Sequence, residues 1–228
     1  MLFGYRIDGL LTVGPPRSRA LLSRVPAGVL LSTARTFPPS HPTTRLCLRL
    51  MLQALGARRC RTLVDVGCGS GVLALAGVKL GVERAVALDI SPQAVATCRR
   101  NAELNRVTNR VLMVRGTAEA IAGRFDLVLA NLPLAVLTET MAELVRLSDD
   151  DASVVLSGFQ DVDQPAVEAV MGRLGLTGQT WLRADLTYFE LPPSGSFTWM
   201  AVLAQHTKTP SSVDRPAVSK PSIPQEYA

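Results

Sequence analysis

Asp65-Val66-Gly67-Cys68-Gly69-Ser70-Gly71 stands between an apolar run, Thr62 to Val66, and a second one, Gly71 to Leu80, whose spacing fits a helix. Glycines at alternate positions let the backbone pass close beneath a ligand, and the helix start behind them supplies N–H groups with no partner of their own. Eighteen residues past Gly71 a further apolar run ends in Asp89, a carboxylate able to accept both hydroxyls of a ribose. A nucleoside cofactor at the carboxyl edge of a parallel sheet follows. The spacing departs from the G-x-G-x-x-G of dinucleotide sites, because the third glycine comes one position early. Asp65 would also repel a pyrophosphate, and more strongly in a partly dry site, whereas it suits a sulfonium and an α-ammonium group. The loop points to S-adenosylmethionine as the cofactor.

On both sides of this loop strands and helices alternate. Thr62 to Val66, Ala85 to Asp89, Arg110 to Val114, Phe125 to Ala130 and Ser153 to Ser157 are predicted as strands. Gly71 to Leu80, Pro92 to Leu104, Leu134 to Leu147 and Pro165 to Leu174 are predicted as helices. Upstream, Val29 to Leu31 reads as a short strand; a helix starts at Thr43, capped by Thr43 or Thr44, and carries Leu46, Leu50, Met51 and Leu55 at helical spacing as far as Gly56. Such alternation implies right-handed crossovers and a mostly parallel α/β sheet covered on both faces, a Rossmann-like architecture. Gln179 to Leu186 and Phe197 to Ala204 are separated by Pro192-Pro193-Ser194-Gly195 instead of a helix, so they are expected to pair antiparallel at one sheet edge.

The chain has 228 residues, 47% of them hydrophobic, which suffices for one full-sized core. Its apolar runs break long before the roughly 20 residues of a membrane-spanning helix. Residues 37–205 are expected to form the main domain and residues 1–36 a short basic segment. Residues 206–228, rich in Pro, Ser, Lys and Thr, are expected to be a disordered tail. Cys47, Cys60, Cys68 and Cys98 form no C-x-x-C pair, and His41 and His206 are the only histidines, so no metal site is expected. Free thiols without a secretory signal suggest a reducing, cytoplasmic setting.

Charge is unevenly placed: residues 1–62 hold ten Arg and one acid, Asp8, whereas the remainder carries a net negative charge. The basic excess can dock on ribosomal RNA or another polyanion, can belong to an Arg-rich transit peptide, or can be a set of solvated arginines around Arg58, Arg59 and Arg61.

Two further stretches carry chemistry. Asp126-Leu-Val-Leu-Ala-Asn131-Leu132-Pro133-Leu134 places an Asn at a strand's carboxyl end, stiffened by the following proline. Its amide carbonyl can accept a hydrogen bond from an incoming N–H, which selects nitrogen nucleophiles; the alternative is an Asn that caps the next helix. Leu134 stands where a base-stacking ring is expected for a flipped nucleobase, which argues against adenine as substrate. Phe37-Pro-Pro-Ser-His41-Pro42-Thr43-Thr44 restrains a His before a helix whose first hydroxyls can cap the helix or meet the cofactor's carboxylate. His41 is more often structural in such a setting, and it is also the one candidate for a general base.

His41-Pro-Thr-Thr-Arg-Leu-Cys-Leu, the Asp65 to Gly71 loop, the Ala130-Asn131 strand end and Leu156-Ser-Gly-Phe-Gln160 together resemble the ribosomal protein L11 methyltransferase (PrmA) family, in unbroken order from about Phe37 to Gln205. The resemblance implies a seven-stranded class I methyltransferase fold that methylates lysine side-chain and N-terminal amines of a ribosomal protein. It implies that Thr43, Thr44, Asp65, Gly67, Gly69 and Gly71 bind S-adenosylmethionine, with Asp89 at its ribose and Thr117 near its adenine. Asn131, beside the cofactor, and the Leu132 carbonyl would orient the substrate amine. The sequence departs from the family in having Pro38-Pro39-Ser40 at a glycine-rich stretch and only 36 residues where a recognition domain would precede. Rival readings are a methyltransferase for a small-molecule amine or RNA, and a cofactor-binding relic without catalysis.

Overall fold

Side-chain alternation along each strand decides which layer it faces. The computed structural model describes residues 4–25, 27–32, 37–186 and 195–207. In chain order the elements are β1 (Tyr5–Ile7), β2 (Leu11–Gly14), α1 (Arg19–Leu22), β3 (Ala27–Leu30), α2 (Pro42–Ala57), β4 (Thr62–Val66), α3 (Val72–Lys79), β5 (Arg84–Asp89) and α4 (Pro92–Asn105). They continue with β6 (Val111–Arg115), β7 (Phe125–Asn131), α5 (Leu134–Leu147), β8 (Ser148–Gln160), α6 (Gln164–Arg173), β9 (Leu176–Asp185) and β10 (Thr198–His206). The main sheet has seven strands in the order β6-β5-β4-β7-β8-β10-β9. Its strands run parallel from β6 to β8, and β10 is antiparallel to both of its neighbours.

Leu63, Ala85, Ala87, Leu127, Leu129, Val155, Ala201 and Leu203 share one core with the buried faces of α2, α3 and α4. The alternate residues, among them Val64, Val86, Val128, Val154 and Val202, share the other with α5 and α6. This is the doubly covered, mostly parallel sheet expected from the alternating runs. The antiparallel strand lies one place in from the edge: β10 is buried on both faces through Met200 to Ala204, whereas β9 is half-exposed along most of its length and takes the outside. β8 begins five residues earlier than expected, because Asp149-Asp150-Asp151 breaks the apolar pattern while the backbone continues the strand. Two of those acids are paired outward, Asp150 with Arg124 at 2.9 Å and Asp151 with Arg58 at 2.9 Å.

Helix α2 is not capped by a threonine. Pro42 occupies its first turn, where the missing N–H costs nothing, and the His41 side chain accepts from the Thr43 N–H at 3.3 Å. Both threonines therefore lie inside the helix.

Within residues 1–36 the structure shows a three-stranded sheet, β1-β2-β3. Its Ile7, Leu11, Val13, Val29 and Leu31 join the core of α2 to α4. Among the described residues no strand pairs the outer side of β3. Two asparagines on successive turns of α4 take that place. Asn105 accepts from the Leu30 N–H at 2.9 Å and donates to the Leu30 carbonyl at 2.7 Å, and Asn101 accepts from the Ser32 N–H at 2.8 Å and donates to the Ser32 carbonyl at 3.1 Å. Both are buried, so each bond replaces one to water that the backbone can no longer make. The tail expected over 206–228 lies outside the described residues from 208 onward; His206 ends β10, and the Thr207 N–H donates to the Gly175 carbonyl at 2.8 Å.

Asn105→Ala strands the Leu30 N–H and C=O in the core, and a stability loss of about 1–3 kcal/mol is expected in urea denaturation. A loss below a few tenths would show that β3 is not held by this side chain.

Candidate active site

The site forms where the carboxyl ends of β4, β5 and β7 meet. Behind β4, a side chain added at Gly67 would strike Leu132 at 2.3 Å, and one added at Gly71 would strike the Cys98 sulfur at 2.4 Å. Gly69 differs: its φ of +54° suits glycine, and a Cβ there would meet nothing within 4 Å. The middle of the loop thus turns bare backbone towards an open cleft lined by Phe37, Pro39, Thr44, Asp65, Ser70 and Asn131.

Asp65 is 1% exposed, and one carboxylate oxygen accepts from the Ala74 N–H at 3.1 Å in the first turn of α3. Burial, opposed in part by that bond and reinforced by nearby Asp89, raises its pKa to about 7. Asp89 receives the Gly69 N–H on one oxygen at 3.0 Å and the Ser91 N–H on the other at 2.9 Å. It is aimed at the loop, and each oxygen retains a lone pair for a further donor. Thr117 follows β6, one strand over: the Gly116 N–H donates to the Asp89 carbonyl at 3.1 Å, which brings the exposed Thr117 to the same sheet edge.

The two threonines of α2 part company. Thr44 lines the cleft, and its hydroxyl receives the Asn131 amide N–H at 3.4 Å. Thr43 is buried outside the cleft lining, with its hydroxyl 2.9 Å from His41 Nδ1. Asn131 does not cap the next helix, because α5 begins behind Pro133 without a side-chain cap. Its amide nitrogen is turned to Thr44, which leaves the amide oxygen to accept. Leu132 is fixed by its N–H to the Ser157 carbonyl at 3.1 Å, and its own carbonyl lies against Gly158, where a Cβ would sit 1.9 Å from the oxygen. Gly158, with φ +103°, is a requirement that the Leu156 to Gln160 element hid, since nothing local announces contact with a residue of another strand.

His41 is flanked by Phe37 at 4.7 Å and Trp199 at 4.9 Å between ring centroids. Desolvation by burial lowers its pKa from the usual histidine value and so favours the neutral ring. Its single lone pair, on Nδ1, is committed to the Thr43 N–H, so the ring serves the helix start and has none left for a base. Trp199 went unnoticed in the sequence, where it is one ring in a strand distant from Phe37. Its indole N–H is buried with no acceptor among the described residues.

The donor set fits S-adenosylmethionine: a buried carboxylate for positive charge, a second for hydroxyls, an open cradle of backbone, and no Lys or Arg among the described residues lining the cleft. Among the described residues no group of three or more His, Cys, Asp or Glu side chains is placed to hold a metal ion. No helix among them is long and apolar enough to cross a membrane. Much of the basic excess is spent internally. Arg49 pairs with Asp8, Arg59 and Arg61 with Glu83, and Arg58 with Asp151.

The pattern of the ribosomal protein L11 methyltransferase (PrmA) family matches residues 39–185. The ribosomal protein L11 methyltransferase of Thiobacillus denitrificans is 43% identical over 147 residues, which make up 63% of this chain and 45% of that protein. A crystal structure of a ribosomal protein L11 methylase from Lactobacillus delbrueckii subsp. bulgaricus superposes with a TM-score of 0.76 at 23% identity, over 90% of this chain and 100% of the other. Magnesium protoporphyrin IX methyltransferase from Synechocystis PCC 6803, with bound SAM, superposes with a TM-score of 0.54 at 14% identity, over 69% of this chain and 76% of that one. These two likenesses speak for the fold, a class I methyltransferase sheet. The chain spans about half the length of the curated relatives it matches.

Asp65 also sets a pH dependence whose sign follows from its shift. The folded state holds the proton up to about pH 7 and the unfolded state only to about 3.8, so this group costs stability increasingly as pH rises between those values. Asp65→Asn is expected to raise the melting temperature of the ligand-free protein at pH 8, with the gain vanishing below about pH 4. A gain independent of pH would mean that the carboxylate is not the cause.

Proposed function

The chain belongs to the ribosomal protein L11 methyltransferase (PrmA) family, and on that premise we propose that it transfers methyl groups from S-adenosylmethionine to amine nitrogens, lysine side-chain or N-terminal, of a ribosomal protein resembling L11. The observation that carries this reading is the meeting of two strand ends. The Asp65 to Gly71 cradle ends β4, the Asn131-Leu132 pair ends the neighbouring β7, and the Leu132 side chain abuts Gly67. Asp65 and the loop N–H groups would hold the amino-acid end of S-adenosylmethionine, Asp89 its ribose, and Thr117 the surroundings of its adenine.

When bound, S-adenosylmethionine supplies a methyl carbon already activated by positive sulfur. What remains for the protein is placement, and placement of an attacking atom in line is worth orders of magnitude in rate. Asn131, with its nitrogen turned to Thr44, presents its oxygen to one N–H of the amine. The Leu132 carbonyl, held by Gly158, presents a second acceptor. Two acceptors at one point favour a neutral amine with hydrogens to donate over a hydroxyl, which has only one. An arriving ammonium must first lose a proton. Partial desolvation beside Phe37 and Trp199 lowers its pKa, and with the His41 lone pair engaged, water takes the proton. We infer a cytoplasmic setting from the proposed ribosomal-protein substrate.

Asn131→Ala is expected to leave the Kd for S-adenosylmethionine within about twofold while cutting methyl transfer by about 100-fold or more, as loss of positioning does. Unchanged transfer would refute the role of Asn131. With labelled S-adenosylmethionine, label is expected on ribosomal protein L11; label confined to ribosomal RNA or to small amines would overturn the choice of substrate.

A further inference from the structure

The sheet β1-β2-β3 contributes no residue to the lining of the cleft, yet it is tied to both sides of it. On one side the Tyr5 hydroxyl donates to the Pro39 carbonyl at 2.5 Å, and Pro39 lines the cleft together with Phe37. On the other side Asn101, which holds Ser32 after β3, also donates to the Ser70 carbonyl of the glycine loop at 2.8 Å. Among the described residues, the turn that Tyr5 holds has few other fastenings. Pro38 and Pro39 lack N–H groups and have a fixed φ, and the Pro38 carbonyl receives the His41 N–H at 3.0 Å. Phe37 packs on the His41 ring at 4.7 Å, and the bond at Pro39 fixes the direction in which Pro39 faces. Tyr5 is a fixed point for it: the ring lies half-buried beneath the Arg45 guanidinium, 5.3 Å from the ring centroid. Burial moves its hydroxyl well above the usual phenol range, against a smaller opposing pull from Arg45, so the donor proton stays in place across the working pH range.

We propose that Tyr5 is a positioning residue for the cofactor: its hydroxyl holds the Phe37 to Ser40 turn against the cleft, so that the loop is ordered before the nucleoside arrives. The inference rests on the cofactor reading above and extends it to a residue outside the cleft. A loop ordered in advance loses less freedom on binding, and the gain appears in affinity and not in the chemical step. This residue should therefore act on KM for the cofactor and leave kcat alone.

Tyr5→Phe keeps the ring beneath Arg45 and removes only the hydroxyl. Calorimetry of the full chain is expected to show Kd values for S-adenosylmethionine and S-adenosylhomocysteine about three- to tenfold higher than the parent's, the worth of one hydrogen bond. KM for S-adenosylmethionine should rise in step, kcat at saturating cofactor should hold, and the ligand-free protein should melt about 2–4 °C lower, the cost of that one bond. Equal affinity in parent and variant would overturn this inference alone. A parent chain that binds neither nucleoside would overturn the cofactor reading and this inference with it.

Discussion

A carboxylate in a dry place is the constraint on which the site depends. Asp65 is buried at the end of a central strand, its pKa raised to about 7, with a single backbone N–H at 3.1 Å to offset the lost water. A fold gains nothing by keeping such a group for its own sake, since a buried acid costs stability when ionised and an apolar residue at the same place would not. The cost becomes useful when a cation arrives, because the same low dielectric that penalises the lone charge strengthens its attraction to an opposite one. The glycine loop, open at Gly69, gives that cation a way in. Nearby Asp89 raises the penalty further and, by the same token, the preference for a positively charged nucleoside over an anionic dinucleotide.

The second dependence is mechanical. Asn101 and Asn105 stand in for a missing strand at the edge of β3, and Asn101 reaches the glycine loop with the same amide nitrogen. Packing alone would let a three-stranded sheet slide on the helices beneath it, since apolar contact is not directional. Four side-chain bonds to two backbone residues fix its register. The sheet is in this way locked to the loop on which the cradle is built.

The main sheet was legible because period-2 and period-3.6 patterns are strong where both faces of a strand and one face of a helix are buried. The runs at Thr62 to Val66 and Leu134 to Leu147 coincide with β4 and α5. Legibility failed where a partner supplies the reason for a residue. β1 and β2 are three and four residues long, too short for a period to register, and the buried asparagines of α4 are polar at positions a pattern assigns to the surface. At the site, residue types foretold chemistry better than geometry did. Asp65, Gly69, Thr44 and Asn131 meet in one cleft, but nothing in Thr43-Thr44 tells which of the two faces it, because that depends on the phase of a helix set by His41 and Pro42. Gly158 and Trp199 were invisible for the same reason, as their contacts lie far along the chain, on Leu132 just past β7 and on His41 just before α2.

If the substrate is the amine proposed above, the geometry around His41 bears on how its proton is lost. An imidazole has one lone pair when neutral, and here it accepts from the first turn of α2, the turn that also carries Thr44 into the cleft. To act as a base the ring would have to release the helix start and so disturb Thr44, which in turn orients Asn131. A catalyst that dismantled its own acceptor pair at the moment of transfer would lose more in placement than it gained in proton abstraction, since placement carries the larger share of the barrier for a methyl group already activated. On the proposed chemistry the site would receive an amine that has already been deprotonated, and the ring cluster of Phe37, His41 and Trp199 would act on that step by disfavouring the charged form.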